Sequence, residues 1–310
     1  MTRLTLAIPS KGRLKDQAEA WLSDCGFKLR QIGGERGYQA EISGLPDTDV
    51  LLLSAREIAE GLLSGRLHMG VTGEDLLHDL SGNLETEAHV VRQLGFGKAN
   101  MVVAVPDAWI DVSTMADLDA AGARYRQKHG RRLRVATKYL ASTRRFFAAR
   151  SVGEYRLVES AGATEAAPAS GTADLIVDIT TTGATLKANG LKILSDGLIL
   201  KSQAALTASL GADWSESARA ALARLLASME ARAAAESVVK LTAHGAIPDD
   251  NAITLGLLDV RGAVAFCAKN TAAYAAERLC AEGLGPISIE KVDFLFRAET
   301  EVLQQLLKKI

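Results

Sequence analysis

Short runs of β-branched and aliphatic residues alternate, over most of the chain, with segments whose apolar positions recur at helical spacing. Residues 4–8 read as a first strand, and a helix over 14–25 follows it and stops at Gly26. Further strands are predicted at 38–43, 50–54, 69–71, 101–105, 133–137, 156–159 and 175–179, with helices at 56–63, 143–149 and 185–188. Leu175, Ile176 and Val177 are apolar on both parities, as expected of a strand covered by helices on both faces. The alternation predicts α/β layers. From 215 to 235 the pattern becomes one helix, capped by Ser215, with Ala218, Leu222, Leu225, Leu226, Met229 and Ala233 on one face. The remainder, 236–310, predicts a smaller α+β unit with strands at 237–242, 262–268 and 287–296 and a helix over 271–282.

Composition narrows the class. The chain has 310 residues, room for about two domains at ~150 residues each. With 48% hydrophobic and 24% charged residues it has the balance of a globular protein. A formal net charge of −1 gives no global field for nucleic acid or an anionic membrane, so neither is an expected partner. No stretch of about 18 apolar residues occurs, and Lys11 and Arg13 cut the N-terminal apolar run too short for a signal peptide. Cys25, Cys267 and Cys280 form no CxxC pair, which suits a reducing compartment, and a cytoplasmic location is expected. The histidines show no HExxH spacing and no GxSxG is present, so zinc and serine hydrolases are unsupported.

Four places could carry chemistry. In the stretch 174–186 a buried strand delivers Asp178 to its carboxyl end and a Thr/Gly turn opens a helix. Backbone N–H groups of that turn, with the hydroxyls of Thr181, Thr182 and Thr185, suit a monoester phosphate, and Gly183 allows close approach. No GK[ST] ending follows, so it is not a Walker A loop, and an ordinary capped turn is the competing reading. Lys11, Gly12 and Arg13 lie where the first strand ends, the position at which open α/β sheets bind ligands, although solvated surface cations would look the same. Residues 124–150 hold ten Lys and Arg and no Asp or Glu, a patch suited to an anionic ligand or a nucleic-acid backbone, with Lys138 and Arg144 placed like ligand contacts. The carboxylates of 70–75 and 159–165 sit at two more strand-to-helix junctions, where they could bind Mg²⁺, a ribose or an adenine amino group, or cap helices.

Taken in order, the motifs resemble the ATP phosphoribosyltransferase family, which opens histidine biosynthesis. They are KGRL at 11–14, GVTGEDLL at 70–77, LGFG at 94–97, RVATKY at 134–139, DLIVDITTTGATLKANGL at 174–191 and KSQAAL at 201–206. The likeness spans roughly residues 4–230. It implies an α/β, two-lobed, periplasmic-binding-protein-like (type II) catalytic core. Lobe I would hold 1–94 and 183–230, and lobe II would hold 95–182. A C-terminal α+β domain, 236–310, would be ferredoxin-like as in long-form members.

The resemblance also implies the reaction: transfer of the 5-phosphoribosyl group of phosphoribosyl pyrophosphate to N1 of ATP, with release of pyrophosphate. Lys11, Arg13 and Glu165 are the implied catalytic residues. Asp178, Thr180, Thr181, Thr182, Gly183, Ala184, Thr185 and Leu186 would bind phosphoribosyl pyrophosphate, and Asp178 would also meet Mg²⁺. Gly12, Leu14, Arg56, Gly73, Asp75 and Lys138 would bind ATP. L-Histidine is the implied feedback inhibitor. A homo-oligomer built from dimers, up to a hexamer, is implied for the long form, and a separate regulatory subunit resembling histidyl-tRNA synthetase for the short form. A non-catalytic two-lobed small-anion binding protein is the alternative, disfavoured by the absence of an export signal. The chain departs from the family pattern in places. Ser10 intervenes before Lys11, Glu57-Ile58-Ala59 stands for Asp-Ile-Pro, Ser54 replaces an expected arginine for which Arg56 could substitute, and Gly162-Ala163-Thr164-Glu165 replaces Gly-Ser-Val-Glu.

Overall fold

Three sheets organise the computed structural model, which describes residues 2–33, 37–160, 162–298 and 301–310. The chain begins with β1 (Leu4–Pro9), α1 (Gly12–Asp24), β2 (Leu29–Ile32), β3 (Gln39–Ile42), β4 (Thr48–Leu53) and α2 (Ala55–Leu63). It continues through β5 (Met69–Gly73), α3 (Glu74–Leu80), α4 (Leu84–Glu87) and β6 (Ala88–Gln93) before crossing to the second lobe. There it forms β7 (Ala99–Pro106), α5 (Met115–His129), β8 (Leu133–Thr137), α6 (Leu140–Ala149), β9 (Tyr155–Glu159), β10 (Leu175–Thr180), α7 (Ala184–Ala188) and β11 (Leu191–Ser202). It then returns as β12 (Ala204–Ser209) and α8 (Glu216–Ser237).

Lobe I is a seven-stranded sheet in the order β2-β3-β4-β1-β5-β12-β6, with β1 parallel to β4 and β5. Successive side chains of β1 serve opposite faces, as a pleated strand requires. Leu4, Leu6 and Ile8 pack with Leu22 of α1 and Leu222 and Leu225 of α8, whereas Ala7 packs with Ile58, Leu62 and Leu77 of α2 and α3. Ser215 caps α8 as expected, accepting the Ala218 N–H at 3.2 Å. Lobe II is a five-stranded sheet in the order β11-β7-β10-β8-β9. Its central β10 sends Leu175 and Val177 into one core and Ile176 into the other, which accounts for the unbroken apolar run.

The two-lobed arrangement has a different second crossing from the one expected at 182–183. β11 pairs antiparallel with β7 from Leu191 opposite Pro106 to Ser202 opposite Ala99, so residues 183–202 lie with lobe II and the chain returns at Gln203. Register shifts between Ile193 and Leu200 break the alternation of β11, which hides it in the sequence.

Beyond α8 the chain enters β13 (Val238–Thr242), α9 (Asp249–Thr254), β14 (Leu258–Arg261), β15 (Val264–Ala268), α10 (Ala272–Ala281) and β16 (Ser288–Lys291). This βαββαβ order, with antiparallel strands arranged β14-β15-β13-β16, is ferredoxin-like. The strand expected over 287–296 is shortened because the chain turns onto α8, where the Leu295 N–H donates to the Ala231 carbonyl at 2.9 Å. The last element, α11 (Glu301–Leu307), returns to lobe I and buries Leu306 completely in its core. Residues 301–310, expected in the C-terminal domain, therefore pack with the first lobe.

Five of the ten cations in the stretch 124–150 are paired with three carboxylates remote in sequence. Arg126 and Arg132 pair with Glu154, Arg131 and Arg134 with Asp174, and Arg150 with Asp196. All three cysteines are free, and among the described residues no helix is long and apolar enough to cross a membrane.

Candidate active site

A cavity of about 750 Å³ opens between the lobes, walled by the carboxyl ends of β5 and β10, the start of α1 and the first crossover. Lobe I contributes Arg13, Leu14, Gln17, Ala55, Gly73 and Asp75, and lobe II contributes Tyr139, Glu165, Asp178, Thr180–Thr182, Thr185 and Leu186. Gly97 and Lys98 of the first crossover, Leu76, Ile179, and Ala99 and Ala204 at the starts of β7 and β12 complete the wall. This is where an open α/β sheet exposes backbone and polar side chains to a ligand.

The turn after β10 holds itself together. Gly183 sits at φ 76° before α7, a left-handed conformation that disfavours any residue with a Cβ. Its N–H donates to Thr180 Oγ1 at 2.9 Å, and the Ala184 N–H donates to Thr182 Oγ1 at 3.3 Å. The Thr181 hydroxyl donates to the Lys98 carbonyl at 2.9 Å, which ties the turn to the first crossover. Thr180 and Thr182 thus shape the loop as well as line the cavity. The side chain of Ala184 and the Cα of Gly183 stay off the wall.

Asp178, at the foot of this loop, is half-buried and accepts the Ile179 N–H at 2.8 Å. Burial pushes its carboxyl above the ordinary value and the nearby Glu165 carboxylate adds to the push, while the Ile179 N–H and the Lys138 ammonium pull the other way. Lys138 therefore acts on the site through Asp178 without lining the cavity. Glu165 reaches the wall from a 3₁₀ turn over Thr164–Ala166, where the buried Thr164 hydroxyl donates to Ser160 at 3.1 Å. Ala161, inside that candidate motif, lies outside the described residues.

Asp75 is 6% exposed and its carboxylate is held on both sides. Oδ1 accepts the Ser202 hydroxyl at 2.9 Å, and Oδ2 accepts the Tyr139 hydroxyl at 2.8 Å. Burial and the Asp75 charge hold the Tyr139 phenol well above its usual range, so it remains a proton donor. A Cβ on Gly73 would stand 2.2 Å from Asp75 Oδ1, which explains glycine there. Tyr139 and Ser202 were not among the residues singled out from the sequence, although each closes or sits within one of the motifs.

Other sequence candidates fall elsewhere. Ser10 donates its N–H to the Leu53 carbonyl at 2.8 Å, so it prolongs the β1–β4 pairing and Lys11 becomes the N-cap of α1, exposed beside rather than on the wall. Gly12 follows it with a positive φ and is likewise off the wall. Arg56 pairs with Glu60 at 3.0 Å on the exposed side of α2 and does not reach the cavity; Ala55 does. Ser54, in place of an expected arginine, forms a capping box with Glu57, accepting its N–H at 3.2 Å and donating its own at 2.8 Å. Among the described residues no cluster of three or more His, Cys, Asp or Glu could hold a metal ion. Asp178 on the cavity wall still fits a Mg²⁺ that arrives on phosphates, because such an ion needs only one or two protein carboxylates.

The HisG family model, ATP phosphoribosyltransferase, matches residues 54–231, which include β5, both crossovers, all of lobe II and most of α8. The chain belongs to the ATP phosphoribosyltransferase family. An ATP phosphoribosyltransferase of Caulobacter vibrioides (strain NA1000 / CB15N) is 50% identical over 321 residues, spanning 98% of this chain and 97% of the relative. Another, of Rhodopseudomonas palustris (strain BisB18), is 55% identical over 230 residues, spanning 73% and 71%. Among solved structures, the ATP phosphoribosyl transferase (HisG:HisZ) complex from Thermotoga maritima aligns with TM-score 0.57 and 25% identity over 73% of this chain and 96% of that one.

Proposed function

We propose that the interlobe cavity transfers the 5-phosphoribosyl group of phosphoribosyl pyrophosphate to N1 of ATP, releasing pyrophosphate and forming N1-(5-phospho-β-D-ribosyl)-ATP. Within this family of pentosyltransferases, that is the first step of L-histidine biosynthesis. The observation that carries the placement is the Thr180–Thr185 loop with Asp178 at its foot, opening into the same cavity as Arg13. The loop hydroxyls would take the 5-phosphate, Asp178 the ribose hydroxyls, and Arg13, with Lys11 beside it, the pyrophosphate and triphosphate side.

Adenine N1 attacks the anomeric carbon with a free lone pair and carries no proton that must be removed. A strong general base is therefore unnecessary, and among the described residues the cavity wall holds no histidine or cysteine. The rate gain comes from holding two anionic substrates in line across the lobes and from cations beside the leaving pyrophosphate. Mg²⁺, held by Asp178 and the substrate phosphates, would neutralise charge on that leaving group. Burial raises the carboxyl of Asp178, with Glu165 adding to the push and Lys138 opposing it, and Tyr139, kept protonated, holds Asp75.

The ferredoxin-like unit favours the long-form reading, in which L-histidine inhibits through that domain and the chain assembles with copies of itself. A separate regulatory subunit is the other arrangement, suggested by the HisG:HisZ complex of Thermotoga maritima. The placement is tested by titration calorimetry of phosphoribosyl pyrophosphate against the full chain and its Thr181→Val and Thr185→Val variants. Weaker binding in both variants with unchanged melting supports the loop as the phosphate cradle, and parental affinity in both removes it.

A further inference from the structure

α3 belongs to lobe I by chain order, yet its polar side is bonded to lobe II. Asp75 and Asp79 are four residues apart and so project from one side of the helix. Asp75 accepts the hydroxyls of Ser202, at the end of β11, and Tyr139, at the start of α6. One turn on, Asp79 Oδ1 accepts the backbone N–H of Ser142 in the first turn of α6 at 2.8 Å. Arg145 of α6 adds a bond to the His78 carbonyl. Asp75, Asp79, Tyr139, Ser142 and Ser202 are all less than a tenth exposed. Carboxylates so little exposed keep their partners, because breaking either bond leaves a largely buried charge short of a donor.

We infer that Asp75 and Asp79 latch α3 to lobe II and set the angle between the lobes, which makes Asp75 a positioning residue that works through Tyr139 and Ser202. The kinetic part of this inference rests on the proposed transfer reaction; the latch itself does not. The loop that would grip the donor phosphate is on lobe II and Arg13 is on lobe I, so the separation of these two edges depends on the contact at the back of the cleft. Both Asp75 oxygens already serve lobe II donors. Asp178, by contrast, accepts its neighbour's N–H and faces the cavity.

The test uses the full chain with Tyr139→Phe and, independently, Ser202→Ala, each of which removes one donor to Asp75 and preserves most of the packing. Spin labels at Ser23→Cys on α1 and Gln127→Cys on α5, with exposed Cys280 replaced by Ser, report the interlobe distance without substrates. The latch predicts a longer or broader distance in both variants, and kcat/KM falling by a similar factor for ATP and for phosphoribosyl pyrophosphate, roughly tenfold for one lost bond to a charged group. Parental distances in both variants overturn it, and so does a loss confined to KM for ATP, which would make Asp75 a nucleotide contact. A lowered melting temperature with unchanged distances and unchanged kcat also overturns it, leaving a purely structural bond. A distance shift in a chain that shows no turnover supports the latch and removes the reaction.

Discussion

Asp178 serves stability and chemistry with opposite signs, and Asp178→Asn separates the two. Without substrate, burial and Glu165 raise the folded-state pKa of this carboxyl above the unfolded value of about 3.9. Between those two values the folded chain binds more protons than the unfolded one, so stability falls as pH rises through the window and stays lower at neutral pH. An amide of the same shape carries no such charge and can still accept the Ile179 N–H. The variant should melt at or above the parent at pH 7, and the advantage should vanish below pH ~4. The chemistry runs the other way. If two ribose hydroxyls donate to the carboxylate, each bond drops from about 1.5–3 kcal/mol to the neutral range of about 0.5–1.5 kcal/mol. Two bonds then forfeit roughly 2–3 kcal/mol, a fall of about 30–150-fold in kcat/KM for phosphoribosyl pyrophosphate. Steady-state kinetics at saturating ATP, run beside thermal melts at pH 4 and pH 7, read both effects. Unchanged kcat/KM, or a melting temperature that drops with activity at pH 7, would refute the reasoning.

Leu306→Ala should destabilise lobe I by about 2–5 kcal/mol although residue 306 lies past the ferredoxin-like domain, because the side chain is fully buried in the first lobe's core; faster hydrogen exchange in β6 and β1 is the readout. At Asp174, burial opposes ionisation, but bonds from Arg131 and Arg134 outweigh it and hold the carboxyl well below its usual range. Its contribution is therefore present at neutral pH and lost as pH falls below about 3.9 towards the folded value, so urea melts of Asp174→Asn and the parent should differ at pH 7 and converge in strong acid. Gly73→Ala would drive a methyl against Asp75 Oδ1, and overpacking of this kind costs about 1–3 kcal/mol; its kinetics should resemble those of Tyr139→Phe.

The parts of the fold that are legible in the sequence are those whose local pattern and tertiary role agree. β8 is predicted at 133–137 and found there, and β10 is extended by a single residue, because internal strands covered on both faces carry mostly aliphatic residues, as in Leu133, Val135 and Ala136 and in Leu175, Ile176 and Val177. β11 escapes because its register shifts cancel the alternation, and α5 because its Ala- and Arg-rich sequence carries little amphipathic contrast. For the site, Asp178, the threonine loop, Arg13 and Glu165 all reach the cavity, since each marks a strand-to-helix junction. Tyr139 and Ser202 gain their roles through partners 64 and 127 residues away, which no local pattern encodes. The structural role of half the basic stretch 124–150 is hidden for the same reason: Glu154, Asp174 and Asp196, which pair with five of its arginines, come from other segments.

The most direct measurement mixes the purified chain with ATP, phosphoribosyl pyrophosphate, Mg²⁺ and a pyrophosphatase and follows the near-ultraviolet absorbance of the N1-substituted adenine. The prediction is turnover that needs both substrates, collapses in Asp178→Asn and is inhibited by L-histidine through the ferredoxin-like domain. Absence of turnover together with absence of phosphoribosyl pyrophosphate binding would contradict the assignment of the interlobe cavity to this reaction.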